Sequence, residues 1–142
     1  MGQPSKVIVV DAGPLYAYID RDDAFHASSK GLLTSYPGVL VIPTLVITEV
    51  VYLINTRLGS RAEIQFLGDL ASGAFVVEPV HQTDWLRIAQ LVAQYRDFPL
   101  GTADASVVAC AERLGVQSIA TTDRRHFSAI RPRSGVTFTL LP

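Results

Sequence analysis

A run of four β-branched residues near the start of the chain, Val7-Ile8-Val9-Val10, constrains the fold more than any other feature. Such side chains crowd the turns of a helix, whereas an unalternating apolar run suits a strand buried on both faces of a parallel sheet. The run ends abruptly at Asp11. Because ligands bind at the carboxyl ends of the strands in open α/β sheets, Asp11 is a candidate functional group. The alternative is that Asp11 only caps a helix, with Pro14 near its first position.

Further apolar runs and turn signals predict that strands and helices alternate along the rest of the chain. The predicted strands are 7–10, 39–42, 75–77, 117–120 and a last edge strand, 136–141. The predicted helices are 14–19, 22–35, 44–58, 60–73, 83–95 and 102–114. This order indicates βαβ units, so we expect a single domain over residues 1–142. Its fold class would be α/β, a three-layer α/β/α sandwich with a central, mainly parallel sheet of four to five strands.

Local signals mark where several of these helices begin. Two acids, Asp22 and Asp23, are predicted to open the second helix, and Thr44 and Thr102 to cap the helices that follow them. The sequence Ser60-Arg61-Ala62-Glu63 has the spacing of a capping box, which predicts the start of the fourth helix.

The composition limits the environments and partners of the chain. The formal net charge is -1, so a nucleic acid would bind through a local basic patch. Cys110 is the only cysteine, which excludes a disulfide within the chain and fits a reducing cytoplasm. Residues 1–6 form a polar start and no apolar run is long enough to span a bilayer, so we expect no signal peptide and no membrane span. The apolar fraction, 49%, is high and favours a surface that contacts another chain.

Four acidic residues fall at equivalent places in this scheme. Asp11 follows the first strand and Asp123 the fourth, while Glu49 and Asp104 lie in the opening turns of helices. We therefore expect their carboxylates to point into one crevice. Clustered carboxylates repel one another unless a cation neutralises them. Oxygen ligands without histidine or cysteine suit Mg²⁺ or Mn²⁺.

Each acid also has a purely structural explanation. Glu49 could be exposed on the polar stripe of its helix, Asp104 could simply favour the helix dipole, and Asp123 could be an ordinary turn residue. Asp97, seven residues before Asp104, is interpreted as a loop acid, and whether it joins the site is left open.

The motifs of other classes of catalytic or binding site are absent from the sequence or incomplete. No nucleophile elbow, dinucleotide-binding fingerprint or Walker loop is present, and the histidines lack the spacing of zinc ligands. An aspartyl-phosphate phosphatase also begins with an acid after its first strand, but it needs a second aspartate where this chain has Gly13. No lysine matches that class or a receiver domain, because Lys6 and Lys30 are the only lysines and both come early.

Two motifs, Gly101-Thr102-Ala103-Asp104-Ala105 and Asp123-Arg124-Arg125-His126-Phe127, resemble those of the PIN-domain ribonucleases. Together with Val10-Asp11 and Thr48-Glu49, they are most similar to the VapC toxins of bacterial toxin-antitoxin (VapBC) pairs. The resemblance covers nearly the whole chain. One departure is Ala12-Gly13, because many members carry a hydroxyl residue just after the first aspartate.

The resemblance implies a Mg²⁺-dependent endoribonuclease whose acidic quartet is Asp11, Glu49, Asp104 and Asp123. Asp11 and Asp104 would bind the metal directly, with Mn²⁺ as a substitute, and Asp123 directly or through water. Glu49 would orient or deprotonate the attacking water. Thr121 or Thr122 would steady a carboxylate or a water at the metal. The number of metal ions and the identity of the RNA do not follow from the sequence.

Basic residues near these acids are candidates for contacts to RNA. Arg124 and Arg125 are placed to bind phosphates beside the metal, or else are solvated loop residues, and Arg57 and Arg61 are further candidates. The resemblance also implies a cognate VapB-type antitoxin that covers the site, and a homodimer. The alternative to the enzyme is a catalytically inactive PIN-like module that only binds RNA or a protein.

Overall fold

The computed structural model describes residues 6–142, and this part of the chain contains five strands and seven helices. The strands are β1 (Val7–Val10), β2 (Val39–Pro43), β3 (Val76–Glu78), β4 (Ser118–Ala120) and β5 (Thr139–Leu141). The helices are α1 (Ala12–Ile19), α2 (His26–Ser35), α3 (Thr44–Leu58), α4 (Ser60–Ala71), α5 (Gln82–Gln94), α6 (Thr102–Leu114) and α7 (Arg124–Ala129). Most of the polar start, residues 1–5, lies outside the described part. Among the helices of residues 6–142, none has the length and apolar character needed to cross a membrane.

The five strands form one parallel sheet in the order β3-β2-β1-β4-β5. β1 lies at its centre, since Val9 is aligned with Val41 of β2 on one side and with Ile119 of β4 on the other. The residues Ile8, Val9 and Val10 are fully buried, which is why the strand carries no polar side chain. The predicted three-layer α/β/α sandwich is confirmed, and its sheet is parallel throughout.

The order of the strands reverses next to β1. The chain adds β2 and β3 on one side of β1, then returns to add β4 and β5 on the other. Because crossovers between parallel strands are right-handed, the helices of the two halves cover opposite faces of the sheet. The carboxyl ends of β1 and β4 thus border a topological switch point, where ligands bind in sheets of this kind.

α6 is the most deeply buried helix and contacts both β1 and β2. Seven consecutive residues, 105–111, are buried in it, and most of them are small enough to let the helix approach the sheet closely. Cys110 is one of these core residues. Phe127 of α7 is also fully buried. These contacts fix the first turn of α6 and the start of α7 at the edge of the sheet.

α2 begins later than the sequence predicted. The side chains of Asp20 and Asp23 accept hydrogen bonds from the backbone N–H groups of Asp22 (3.0 Å) and Phe25 (2.8 Å). Aspartate side chains that bind the backbone two residues on stabilise turns rather than helix. The helix therefore starts only at His26, with Phe25 as its N-cap.

Thr44 and Thr102 are the first residues of their helices rather than the caps, and the N-cap positions belong to Pro43 and Gly101. The hydroxyl of Thr44 instead donates to the carbonyl oxygen of Glu78 at 3.0 Å and ties α3 to β3. The last strand, predicted from residue 136, begins only at residue 139.

The predicted capping box at Ser60 and Glu63 does not form. The Glu63 carboxylate accepts a hydrogen bond from Nδ2 of Asn55 at 2.9 Å and links α4 to α3. A capping box is found instead at the start of α5, where the backbone N–H of His81 donates to Oδ2 of Asp84 at 2.9 Å. The predicted capping box of α4 is absent because the Glu63 side chain binds a residue of the neighbouring helix α3 instead.

Candidate active site

Asp11 lies at the switch point, directly after β1. Its backbone N–H donates to the carbonyl oxygen of Ala120 at 2.9 Å, so the pairing of β1 with β4 continues up to this residue. The side chain is only 5% exposed. Its Oδ2 accepts a hydrogen bond from the Thr121 hydroxyl at 3.0 Å, whereas Oδ1 is buried without a partner among residues 6–142. An unpartnered buried carboxylate oxygen is costly, which favours a functional role over a structural one.

The same burial perturbs the acidity of this group. It raises the pKa of Asp11 to about 7, and repulsion from Asp104 and Glu49 contributes to the rise. The N–H of Ala12 and the hydroxyl of Thr121 oppose it. Asp11 occupies the N-cap position of α1 but makes no side-chain capping hydrogen bond there. The simple capping explanation therefore lacks its defining contact.

The structure brings the other three predicted acids to the same edge of the sheet. Asp104 is the third residue of α6, and its pKa is raised by burial and then by repulsion from Asp123. The pKa of Glu49 is raised by partial burial and by Asp104. Glu49 lies in the second turn of α3, not in its first. Asp104 thus interacts with Asp11, Glu49 and Asp123, and we call these four residues the acid cluster.

Asp123 is held by His126, which was not predicted to be part of the site. The Asp123 Oδ1 accepts the backbone N–H of His126 at 3.2 Å, and Oδ2 lies 2.7 Å from Nδ1 of the same residue. The imidazole also packs edge-on against the ring of Phe98, with 4.8 Å between the centroids. The three-residue spacing at a helix start was the one signal in the sequence for this pair.

Thr121 and Thr122, both predicted to steady the site, have different contacts. The Thr121 hydroxyl donates to Asp11 and accepts the backbone N–H of Asp123 at 2.9 Å, so it bridges two members of the acid cluster. Thr122 packs against α1 instead: a Cβ placed on Gly13 would lie 2.1 Å from its Oγ1. A Cβ at position 13 would therefore clash with the Thr122 side chain unless that side chain moved.

The four arginines predicted to bind RNA lie in two places. Arg124 and Arg125 line a cavity of about 430 Å³ next to Thr121 and Asp123. The Arg124 guanidinium donates to the carbonyl oxygens of Leu140 and Pro142, and that of Arg125 lies 5.9 Å above the centroid of the Phe98 ring.

The second pair, Arg57 and Arg61, is not brought to the acid cluster by any contact of the described residues. The Arg57 guanidinium lies 5.1 Å above the ring of Tyr16, whose hydroxyl donates to Asp20 at 2.6 Å. Arg61 is exposed in the first turn of α4. Asp97, whose role the sequence left open, is exposed in the loop between α5 and α6.

Comparison with known proteins places this architecture in a family. The family model described as PIN domain matches residues 8–131. The chain belongs to the PIN-domain family. This PIN domain is 37% identical to ribonuclease VapC26 of Mycobacterium tuberculosis over 135 residues, which are 95% of this chain and 100% of that protein. The similarity to VapC toxins inferred from the motifs is thereby confirmed.

Solved structures agree with this assignment. The PIN domain superimposes on VapC20 of Mycobacterium tuberculosis, a toxin that cleaves the sarcin-ricin loop, with a TM-score of 0.74 and 26% identity over 79% of this chain and 86% of that one. The VapBC2 complex of Rickettsia felis bound to promoter DNA gives a TM-score of 0.69 and covers 96% of this chain and 99% of that one. At 11% identity, the second comparison shows the fold alone.

The donor atoms of the acid cluster suit a hard cation. Among residues 6–142, no three His, Cys, Asp or Glu side chains converge closely enough to form a complete metal site. Mg²⁺ does not require such a cage, because it keeps several of its waters and binds through one or two carboxylates. The Oδ1 of Asp11, which has no hydrogen-bond partner among residues 6–142, could bind such a cation, and a cation there would offset the repulsion among the acids.

Proposed function

We propose that this chain is a Mg²⁺-dependent endoribonuclease, the toxin of a toxin-antitoxin pair, which hydrolyses phosphodiester bonds of RNA at the acid cluster. The observation that carries the proposal is the buried Oδ1 of Asp11, a carboxylate oxygen without a hydrogen-bond partner among residues 6–142, in a side chain that Asp104 and Glu49 repel. Support comes from VapC26, which is named a ribonuclease, and from VapC20, which cleaves the sarcin-ricin loop.

The acids divide into two roles in this proposal. Asp11 and Asp104 would hold Mg²⁺ directly, with Mn²⁺ as a substitute, and Asp123 would complete the site directly or through water. When bound, the ion supplies Lewis acidity, which makes water more acidic and offsets charge on the phosphoryl oxygens. Thr121 fixes the direction of the Asp11 carboxylate, since its hydroxyl binds Oδ2 and leaves Oδ1 without a hydrogen bond from any of residues 6–142.

Glu49 orients the attacking water and accepts its proton. Its pKa is raised by burial and by Asp104, and a higher pKa makes a carboxylate a stronger base. Glu49 is also the most exposed member of the acid cluster, so water and substrate can reach it. The attack is in line with the leaving oxygen of the phosphodiester.

RNA phosphates bind to Arg124 and Arg125, which line the cavity beside Asp123 and which we call the cationic rim. An acidic site repels RNA, so cations at its border are needed for binding. Arg57 and Arg61 lie outside this rim, and any contact that they make to RNA involves a more distant part of the strand.

We further propose that the chain is a single PIN domain over residues 1–142 that acts in the cytoplasm as a homodimer and binds a VapB-type antitoxin. Large apolar side chains remain exposed in the described chain, among them Tyr52 (69%), Ile64 (68%) and Leu86 (66%), and a partner would cover them. Complexes of VapC-like toxins with antitoxins, among them that of Rickettsia felis, share the fold.

Two measurements test the enzyme assignment. First, the wild-type protein should cut single-stranded RNA with Mg²⁺ and not with excess chelator, while Asp11→Asn and Asp104→Asn should not cut. The variant Asp97→Asn, which removes a charge outside the acid cluster, is the matched control and should stay active. If the two cluster variants cut as fast as wild type, the mechanism is wrong.

Second, Mn²⁺ should raise the melting temperature of the wild-type protein. Saturation to about 100-fold over the dissociation constant stabilises the fold by about 2.7 kcal/mol, which is about 5–10 °C for a domain of this size. Asp11→Asn should lose most of this shift. A protein that binds RNA, does not cut it and gains no stability from Mn²⁺ would instead be the inactive RNA-binding module.

A further inference from the structure

A cavity of about 430 Å³ adjoins the acid cluster on the side of Asp123. One wall comes from the start of α2, with Phe25 and Ser28, and the other from residues 121–125. Its volume lies within the range of about 300–1,000 Å³ that is typical of sites for small ligands. Asp123 belongs to both the cavity and the acid cluster, and Thr121, which hydrogen-bonds to Asp11, also lines the cavity. A group bound in the cavity therefore lies next to the acids.

Phe25 is presented to this cavity by a rigid turn. Its backbone N–H donates to Asp23 at 2.8 Å, and its carbonyl oxygen accepts the N–H of Ser29 at 2.9 Å and the hydroxyl of Ser28 at 3.2 Å. The side chain is nevertheless 48% exposed. A large aromatic ring held by its backbone but left half outside the core is available to contact a ligand.

The opposite wall carries positive charge. Arg124 and Arg125 line the cavity, and the contact of Arg125 with Phe98 keeps its guanidinium near the first turn of α7. A cavity lined by an aromatic ring and two arginines is complementary to an unstacked base and its phosphate. Single-stranded RNA is recognised in this way, by stacking on aromatic side chains and by basic groups along the backbone.

We propose that the cavity binds one nucleotide of single-stranded RNA next to the cleaved bond, with the base stacked on Phe25 and the phosphate near Arg125. This inference rests on the proposed nuclease function and adds a binding site for the substrate. Stacking tolerates any base, so Phe25 contributes affinity and position rather than a strict sequence preference.

The test measures binding separately from cleavage. Asp104→Asn, which is expected not to cut, is the parent protein, and the probe is a short single-stranded RNA that carries 2-aminopurine and a fluorescein label. Anisotropy gives the dissociation constant, and quenching of 2-aminopurine reports stacking. Phe25→Leu retains an apolar side chain without an aromatic face, whereas Phe25→Tyr retains the face. Trp85→Leu removes an exposed aromatic ring (46%) that lies outside this cavity and is the matched control.

Phe25→Leu should weaken binding by about 5- to 150-fold and abolish the quenching. Phe25→Tyr and Trp85→Leu should bind like the parent, and all variants should melt like the parent because both rings are exposed. If Phe25→Leu binds and quenches like the parent, the stacking site is wrong even where the wild-type protein cuts RNA. If binding depends on Phe25 but the wild-type protein never cuts RNA with Mg²⁺, the nuclease assignment fails and the site stands.

Discussion

The Thr121 hydroxyl donates a hydrogen bond to Oδ2 of Asp11 at 3.0 Å, across the ends of the two central strands. The same hydroxyl accepts the backbone N–H of Asp123 at 2.9 Å. Thr121 is itself almost fully buried. The Thr121 side chain therefore sets the direction of the most buried carboxylate and the path of the chain into α7. Its loss should affect both.

Replacement of Thr121 by valine should destabilise the protein by about 1–3 kcal/mol at neutral pH or above, because it leaves the buried Asp11 carboxylate without a hydrogen bond. It should also raise the pKa of Asp11 further, since the hydroxyl lowers that pKa. Urea unfolding gives the free energy. Thr121→Ser keeps the hydroxyl and is the control, so equal stability of the valine and serine variants would contradict the role given to this bond.

The stability of the metal-free protein should depend on pH through Asp11. Its pKa is raised from 3.8 to about 7, so the folded state binds more protons than the unfolded state between these values. The free energy of unfolding therefore falls as pH rises through this window and levels off above about pH 7. Asparagine does not ionise, so the stability of Asp11→Asn does not fall in this way. The variant should be more stable than wild type above pH 7, by up to about 4 kcal/mol.

Urea titrations in excess chelator, at several pH values from about 4 to 8, measure this difference. Near pH 4, wild type and Asp11→Asn should be nearly equally stable, because the carboxyl group is protonated in the folded chain and only about half ionised in the unfolded chain, so little of the loss has accumulated. Glu49→Gln is the control, since Glu49 is exposed and should show a much smaller effect. A difference between wild type and Asp11→Asn that does not change with pH would refute the raised pKa.

Gly13→Ala should destabilise the protein by about 1–3 kcal/mol, the usual cost of overpacking. The new Cβ would lie 2.1 Å from Oγ1 of Thr122 and 3.3 Å from its Cβ. Thr122→Ala removes the first of these contacts, so the double variant should recover most of the loss in a double-mutant cycle. Strictly additive effects of the two substitutions in urea unfolding would show that the hydroxyl is not the obstacle.

Arg113→Met should destabilise the protein by about 3 kcal/mol, because it leaves buried acids without their partner. The Arg113 guanidinium donates to Asp84 at 3.0 Å and to Glu78 at 2.9 Å, and Asp84 is only 7% exposed. Arg131→Met changes an exposed arginine in the same way and should cost little. The measurement is again urea unfolding, and similar losses for the two variants would argue against a special role of Arg113.

Much of the acid cluster could be anticipated from the sequence. β-branched runs mark strands through local sterics, and in a parallel sheet the residues that follow the strands share one edge. Asp11 and Asp123 were placed by this rule alone. Asp104 and Glu49 lie in α6 and α3, and the family resemblance added weight to both.

Other features could not be anticipated, since they depend on which elements become neighbours. No local pattern specifies the positions of whole elements that bring Arg113 to Asp84 and Glu78, or Thr122 to Gly13. The same reason explains the missing capping box of α4, because the Glu63 side chain binds Asn55 of α3 instead.

The sequence by itself determined that strands alternate with helices and that four acids follow or begin them, since steric preference and hydrophobic pattern act over a few residues. Only the tertiary structure decided that β1 lies at the centre of the sheet, next to β4. That pairing buries Asp11, brings the Thr121 hydroxyl to its Oδ2 and leaves Oδ1 without a hydrogen-bond partner in the described part of the chain. The perturbed pKa of Asp11 follows from this burial and from its acidic neighbours, which come together only when distant segments pack.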